Sequence, residues 1–336
     1  MTVSVREVAA LAGVSLGTVS NVLNRPEKVA PATVERVQNA IAELGFVRND
    51  SARQLRAGRS STVGLIVLDG GNPFFTDVAR GAEDAAMSKG LAVLIGNSDE
   101  STEREATYVD LFEERRVAGL LISPAGDDLA RLARLRDQGT AVVLVDRRAD
   151  DEHFASVSVD DVAGGRIAVS HLLAIGRQRI AFVGGPFGIR QVADRHAGAL
   201  AAATAAGASL EVLRTTSLSV LEGRRIGEEL QRRPAGSRPD AVFAANDLIA
   251  VGLEQAFIMR GSVVVPDEIA IVGYDDIAFA EAAVVPLTSI RQPAQDLGRQ
   301  AIELLVRQVE HGQDVDLEHV EFTPELVVRQ STVRER

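Results

Sequence analysis

SVREVAALAGVSLGTVSNVLN, residues 4–24, decides how this chain is read. Ser4 is followed three residues later by Glu7, the spacing of a capping box in which each residue satisfies a free N–H at a helix start. From Val5 to Ala12 apolar residues recur at helical spacing. Gly13 can adopt the left-handed conformation that ends a helix without a steric penalty. Ser15 is then a second N-cap, for a helix running from about Leu16 to Leu23. A turn of about three residues between two helices makes a helix-turn-helix. Ala9 is small where the helices must cross, and Val8, Val14, Val19 and Val22 fall where a shared core needs them. A third helix is predicted over 31–44. Pro31 suits its first turn, Val34, Val37, Ile41 and Leu44 make one stripe, and Gly45 ends it.

Outward from this head the charge changes sign. The 336 residues carry a formal net charge of −11. Residues 1–60 hold eight basic and five acidic side chains, a balance of +3, so the rest of the chain carries −14. A basic head on an acidic body suits a head that meets a polyanion, although +3 over such a length is also ordinary for a globular surface. There is no Cys, which excludes disulfides, thiolate metal sites and a cysteine nucleophile. No apolar run reaches the roughly 18 residues needed to span a bilayer, and the N-terminus lacks the apolar stretch of a secretory signal. A cytoplasmic protein without a membrane partner is expected.

From residue 61 strands and helices alternate. Strand candidates are TVGLIVLD (62–69), LAVLIGN (91–97), VAGLLIS (117–123), AVVLVD (141–146), RIAFVGG (179–185), AVFAAND (241–247) and IAIVGYDD (269–276). Strands apolar throughout, alternating with helices, predict doubly wound parallel sheets covered on both faces. The length predicts two lobes. Ligands in such folds bind where strands end at their carboxyl side. That rule nominates residues 69–75, Ser123, Asp146, residues 184–190, Asn246 with Asp247, and Asp275 with Asp276.

Three motifs together carry a resemblance: AxxAGVSxxTVSxVLN over 9–24, LGF at 44–46, and ARQL at 52–55. The stretch 3–58 resembles the DNA-binding head and hinge of the lactose-repressor (LacI/GalR) family. The body joins in through NPFF at 72–75, the helix bearing Arg195, AND at 245–247, GYDD at 273–276 and PLTSIRQP at 286–293. The resemblance implies a helix-turn-helix domain over 1–47, a hinge over 48–60, and an effector-binding and dimerisation domain over 61–336. The latter is similar to periplasmic sugar-binding proteins, with one lobe at about 61–159 and 290–318 and another at about 160–289 and 319–336, linked by crossings near 160, 289 and 318.

The second helix would then enter the major groove, with Leu16, Gly17, Ser20 and Asn21 towards base edges. Many relatives are bulkier or basic at these places; Asn21 suits adenine, where Arg would prefer guanine. Ser4, Ser15, Thr18, Asn24 and Thr33 are candidates for phosphate contacts or local caps, and for Ser4 and Ser15 the two roles are compatible. Leu55 matches the family's minor-groove wedge, with Arg53 and Arg56 beside it on phosphates. In the body, the resemblance implies that Arg195, Asn246 and Asp275 hold a ligand, with Asp146 joining them, Asn72 opening the same loop, and Phe74 and Phe75 as an apolar wall. The mixture suits a polyol: Arg donates, carboxylates accept from hydroxyls, and an aromatic face covers sugar C–H groups. The bland alternatives are that Phe75 is core and that Asp275 or Asp276 caps a short helix.

Rival motifs are weak. GVSLG at 13–17 fits G-x-S-x-G, but that elbow needs a preceding strand, and a helix precedes it here. Gly184, Gly185 and Gly188 lack the G-x-G-x-x-G spacing and no Walker lysine follows. His153, His171, His196, His311 and His319 lack metal spacing; His171 reads as structural and His196 as a candidate to face the cleft. Neither a cofactor, a metal nor a catalytic role is expected. The sequence reads as a repressor acting as a homodimer on a near-palindromic double-stranded operator and controlled by a small-molecule effector, a sugar. The C-terminal EFTPELVVRQSTVRER, without added heptads, is the basis for expecting a dimer. Two alternatives stay open: a purine or other metabolite as co-repressor, and a cytoplasmic sugar-binding receptor.

Overall fold

A computed structural model describes residues 3–46, 60–149, 153–260, 263–312 and 317–333. The chain divides into two units, 1–59 and 60–336, each with its own core. The first contains helices α1 (Val5–Ala12), α2 (Leu16–Asn24) and α3 (Pro31–Leu44). The capping box forms: Ser4 N donates to Glu7 Oε2 at 2.7 Å, and Glu7 N to Ser4 Oγ at 3.4 Å. Gly13 ends α1 at φ 62°, in the left-handed region that a side chain would disfavour. Only residues 13–15 separate α1 from α2. Val8, Val19 and Val37, one from each helix, are fully buried together, and Ala9, Ala12, Val22 and Ala40 close around them. Burying each valine contributes about 1.5–3 kcal/mol, so the apolar stripe holds α2 rigidly with one face inward.

The second unit is built on two six-stranded sheets. The first contains β1 (Thr62–Val67), β2 (Ala92–Asn97), β3 (Gly119–Ile122), β4 (Ala141–Val145), β5 (Ala155–Val159) and, from far along the chain, β11 (His319–Phe322). Their order is β11-β5-β4-β3-β1-β2, all parallel. The second contains β6 (Arg179–Gly184), β7 (Ser209–Arg214), β8 (Ala241–Ala244), β9 (Ala270–Asp275), β10 (Thr288–Arg291) and β12 (Glu325–Val327). Their order is β12-β10-β9-β8-β6-β7, parallel except for the antiparallel pair β10 and β12. Helices α4 (Pro73–Ser88), α5 (Thr102–Glu114), α6 (Ala130–Asp137) and α12 (Ala294–His311) cover the first sheet. The second carries α7 (Asp161–Ala174), α8 (Arg190–Ala205), α9 (Val220–Arg232), α10 (Asp247–Arg260) and α11 (Ala278–Glu281). Helices on both faces explain why strands such as β3 and β8 are apolar and buried along their whole length.

The crossings between lobes differ from two of the expected positions. The second falls between Arg291 and Ala294, not at 289, because β10 stays hydrogen-bonded to β9 while α12 packs on α4. The third falls between Phe322 and Glu325, not at 318, because β11 pairs with β5 in the first sheet, Val320 opposite Val157. Residues 319–322 therefore belong to the first lobe and 290–291 to the second. The pairing partner decides the place of such short strands, and it is invisible in their own composition.

One helix crossing positions the site. A Cβ on Gly198 of α8 would lie 1.9 Å from the Val162 carbonyl oxygen of α7, and one on Gly165 of α7 would lie 1.9 Å from the Arg195 carbonyl oxygen of α8. Two glycines facing opposite backbones bring the helices close enough for side chains of adjacent turns to meet.

Candidate functional site

On the head, α2 turns Val19 and Val22 inward and leaves Leu16, Gly17, Asn21 and Asn24 exposed, with Ser20 half-buried between them. Leu16, an apolar residue, keeps 47% of its surface exposed. The polar candidates also have local partners. Ser15 Oγ caps α2 by accepting from Thr18 N at 3.1 Å and lies 2.9 Å from Thr18 Oγ1. Asn24 Nδ2 donates to the Ser20 carbonyl at 2.8 Å and to Ser20 Oγ at 3.3 Å. Ser4 is engaged by Glu7, whose carboxyl the Ser4 backbone N–H and hydroxyl hold below its usual range. Thr33 is half-buried in the first turn of α3. Arg53, Leu55 and Arg56 lie outside the described residues.

In the body, the expected residues converge from separate strand ends. Asn72 caps α4, Asp146 follows β4, Asn246 follows β8, Asp275 ends β9, and Arg195 comes from α8. With Phe74 and Phe75 they line one narrow cleft between the lobes, together with Leu68, Ile189, Gln191 and Leu218. The cavity left is about 20 Å³, close to the space of one water molecule. Phe74 and Phe75 pack edge to face at 5.0 Å and are both buried, so each is core and wall at once. Asp275 caps no helix; Asp276 pairs instead with Arg329 at 2.6 Å and Arg291 at 2.7 Å. His196 does not line the cleft. Its ring packs edgewise on Phe182 and Phe187, where burial lowers its pKa.

Hydrogen bonds cross the cleft. Asn72 Nδ2 donates to Asp275 Oδ2 at 2.9 Å. Gln191 Nε2 donates to the Asp146 carbonyl at 2.6 Å and to Asp146 Oδ2 at 3.0 Å. Away from these, Glu100 Oε1 accepts from Leu218 N at 3.0 Å. Within the second lobe Arg195 is the centre of charge. Its Nε donates to Asp161 Oδ1 at 2.7 Å and its Nη1 to the Ala245 carbonyl at 2.8 Å. Asp275 Oδ1 lies 3.8 Å from Nη1, and the guanidinium carbon sits 3.7 Å over the Tyr274 ring.

Burial drives the titration here. It pushes Asp146 well above the usual carboxylate range, helped by Asp161 and opposed by Arg195. It raises Asp161 and takes Asp275 up to about 6, both against the pull of Arg195. Burial alone would weaken the Arg195 charge, but Asp161, Tyr274, Asp275 and Asp146 raise its pKa, so it stays a cation. Asp146 and Asp275 also have φ of 57° and 105°. Such backbone costs about 1–3 kcal/mol for a residue with a side chain and concentrates at ligand clamps.

Three residues of this network were not expected as ligand-holding residues. Gln191 lies one turn before Arg195, so i, i+4 spacing was the available signal. Asp161 follows Asp160, which caps α7 through Ala163 N at 2.8 Å, and its own sequence neighbours give it no distinguishing signal. Gln292, within the quoted PLTSIRQP, donates to Asp275 Oδ1 at 2.8 Å. The buried atoms Asp146 Oδ1, Gln191 Oε1 and Gln292 Oε1 have no hydrogen-bond partner, and neither does Ser123 Oγ at the end of β3. Unmatched buried polar atoms of this kind can take up hydrogen bonds from a polar molecule. Among the described residues no group of His, Asp and Glu side chains could hold a metal ion.

Known proteins share both parts of this arrangement. Residues 4–49 match the bacterial regulatory proteins of the lacI family, and residues 169–332 match a periplasmic binding protein-like domain. The ribose operon repressor of Bacillus subtilis (strain 168) is 36% identical over 304 residues, 90% of each chain. The lac repressor dimer bound to operator and an anti-inducer superposes with a TM-score of 0.83 at 27% identity, over 99% of this chain and all of that one. A LacI family regulator from Enterococcus faecium with bound ribose gives 0.73 at 29% identity, over 82% of this chain and all of that one. A head of three helices, two wound lobes and kinship along nearly the whole length place this chain in the LacI family of bacterial regulatory proteins.

Proposed function

We propose that the chain is a transcriptional repressor whose hold on an operator is set by a small sugar bound between its lobes. One observation carries the reading: the same chain has a helix-turn-helix with a free outer face and a cleft in which buried charged groups from separate strand ends converge. Its kin are repressors and not enzymes. Two copies would act together, each head on one half of a near-palindromic site, as a two-fold dimer requires. Exposed apolar side chains on the second lobe support a dimer face: Leu221 on α9, Met259 on α10, Phe279 on α11 and nearby Val284. α10 packs against both α9 and α11, so these elements are neighbours.

Leu16, Gly17, Ser20 and Asn21 would read bases, while Ser4, Ser15, Thr18, Asn24, Thr33, Arg53 and Arg56 would position the backbone and Leu55 would wedge the minor groove. Asn72, Phe74, Phe75, Asp146, Arg195, Asn246 and Asp275 would hold the effector. Sugar binding weakens operator binding in this scheme, and only by as much as the sugar prefers the non-binding arrangement. The cytoplasm is the proposed location; no helix among the described residues is long and apolar enough to cross a membrane.

Selection of bound genomic fragments with full-length protein at near-physiological salt tests this, because low salt would let phosphate binding hide sequence choice. One short palindromic family of sites, released by a sugar, is the expected result. Recovery of random fragments, with and without sugars and other metabolites, overturns it.

A further inference from the structure

We infer that the cleft selects an uncharged, hydroxyl-rich effector and rejects the phosphate ester or acid of the same sugar. The inference rests on the sugar reading above and sharpens it to a chemical class. It follows from two balances in the cleft, one of hydrogen-bonding groups and one of charge.

The amide nitrogens already face protein acceptors. Asn72 turns to Asp275, Gln191 to Asp146, Gln292 to Asp275, and Asn246 to the Leu218 carbonyl at 3.1 Å. These partners fix which end of each amide is oxygen. The oxygens of Asn72 and Asn246 are taken by Phe74 N and Ile249 N, each at 3.0 Å. The oxygens of Gln191 and Gln292 are left over. Beside the N–H groups of Arg195 that Asp161 and Ala245 leave over, this spare capacity is of acceptors, and a ligand must bring donors to meet them. A hydroxyl brings one each time; a phosphate dianion or a carboxylate brings none.

The charge balance agrees. Among the described residues Arg195 is the single cation lining the inner cleft, and it is already bonded to Asp161, with Asp275 beside it. Asp146 adds either a neutral acid or a further negative charge, never a positive one. Beyond the Asp146–Gln191 pair an outer cavity of about 180 Å³ has three arginines in its wall. Each is paired with an acid: Arg147 with Asp127 at 3.1 Å, Arg148 with Glu321 at 3.5 Å, and Arg190 with Asp194 at 3.1 Å. An anionic ligand would meet buried carboxylates without, among the described residues, a cation that lacks an acidic partner to offset them.

Calorimetric titration of the full chain at pH 7.5 tests this with matched probes: D-ribose and D-glucose, their acids D-ribonate and D-gluconate, and their terminal phosphates. The acids separate charge from size. A neutral sugar is expected to bind, with its acid and phosphate weaker by at least about 100-fold, as like charges at low dielectric require. An acid or phosphate within tenfold of its neutral parent, or tighter, overturns the inference and leaves the sugar reading standing. A panel in which nothing binds overturns both. Asp275→Asn provides a second readout: removing an acidic group of the cleft that is ionised at pH 7.5 is expected to narrow the preference for ribose over ribonate by about tenfold. An unchanged ratio would assign the discrimination to shape and refute the charge argument.

Discussion

A single methyl group added at Gly198 should prise apart the two helices that hold the cleft's cation. The Cβ of Gly198→Ala would lie 1.9 Å from the Val162 carbonyl oxygen, where real Cβ atoms stay beyond 3.0 Å. α8 must therefore withdraw from α7 by at least about 1.1 Å, the difference between those distances. Arg195 lies one turn away on α8. Transmitted in full, the shift takes the Arg195 Nε to Asp161 Oδ1 distance from 2.7 Å to about 3.8 Å, past the range of a hydrogen bond. Overpacking of this kind costs about 1–3 kcal/mol. Opening a buried pair adds a share of the roughly 3–5 kcal/mol lost when one is broken outright. A total of about 3 kcal/mol lowers the melting temperature of a domain of this size by about 6–12 °C. Scanning calorimetry of the full chain reads the shift, with Gly236→Ala as control, since a Cβ there meets nothing within 4 Å. The control should stay within about 0.5 kcal/mol of the parent. A Gly198→Ala protein that melts within about 2 °C of the parent and still binds the effector would refute the argument that the glycine crossing positions Arg195.

Three further outcomes are expected. Arg195→Ala leaves Asp161 and Asp275 without their cation, costs about 3–5 kcal/mol and abolishes release by the effector while operator binding persists; a gel-shift titration showing normal release would remove Arg195 from the cleft. Burial, with Asp69 and Asp99 nearby, pushes Glu100 up to about 7, and burial takes Asp275 up to about 6, both above their ordinary values. The folded body therefore keeps protons that the unfolded chain releases, and its stability declines as pH rises from about 4.5 towards 7 through these groups. Urea midpoints measured at pH 5.5, 6.5 and 7.5 should fall, and Glu100→Gln should flatten the upper part of that fall; an identical profile in the variant would contradict the Glu100 share. Asn21→Ala should cost about 1–3 kcal/mol of discrimination at one base pair and leave binding to random DNA unchanged; equal loss on both kinds of DNA would make Asn21 a backbone contact.

What the sequence reveals here depends on how local the cause is. The head was legible because its determinants sit within a few residues of one another: Ser4 with Glu7, Gly13 at the turn, Ser15 at the next start. The lobes were legible because both-faced burial writes long apolar runs into strands such as β1 and β9. The affiliation of β10 and β11 was not, since a four-residue strand takes its place from its partners, which in the case of β11 and β5 lie more than a hundred residues apart. Gly165 and Gly198 read as weak helix positions until the helices are seen to cross at them. The strand-end rule found Asp146 and Asp275, but it gave no reason for an aspartate at either place. Backbone at φ 57° and 105° would be relieved by glycine, the residue local preference favours there. Yet each position carries a carboxyl group that is buried, raised in pKa and turned to the cleft. A residue that breaks its local rule twice over, in backbone and in burial, needs a compensating gain, and the contacts it makes across the cleft are where that gain lies.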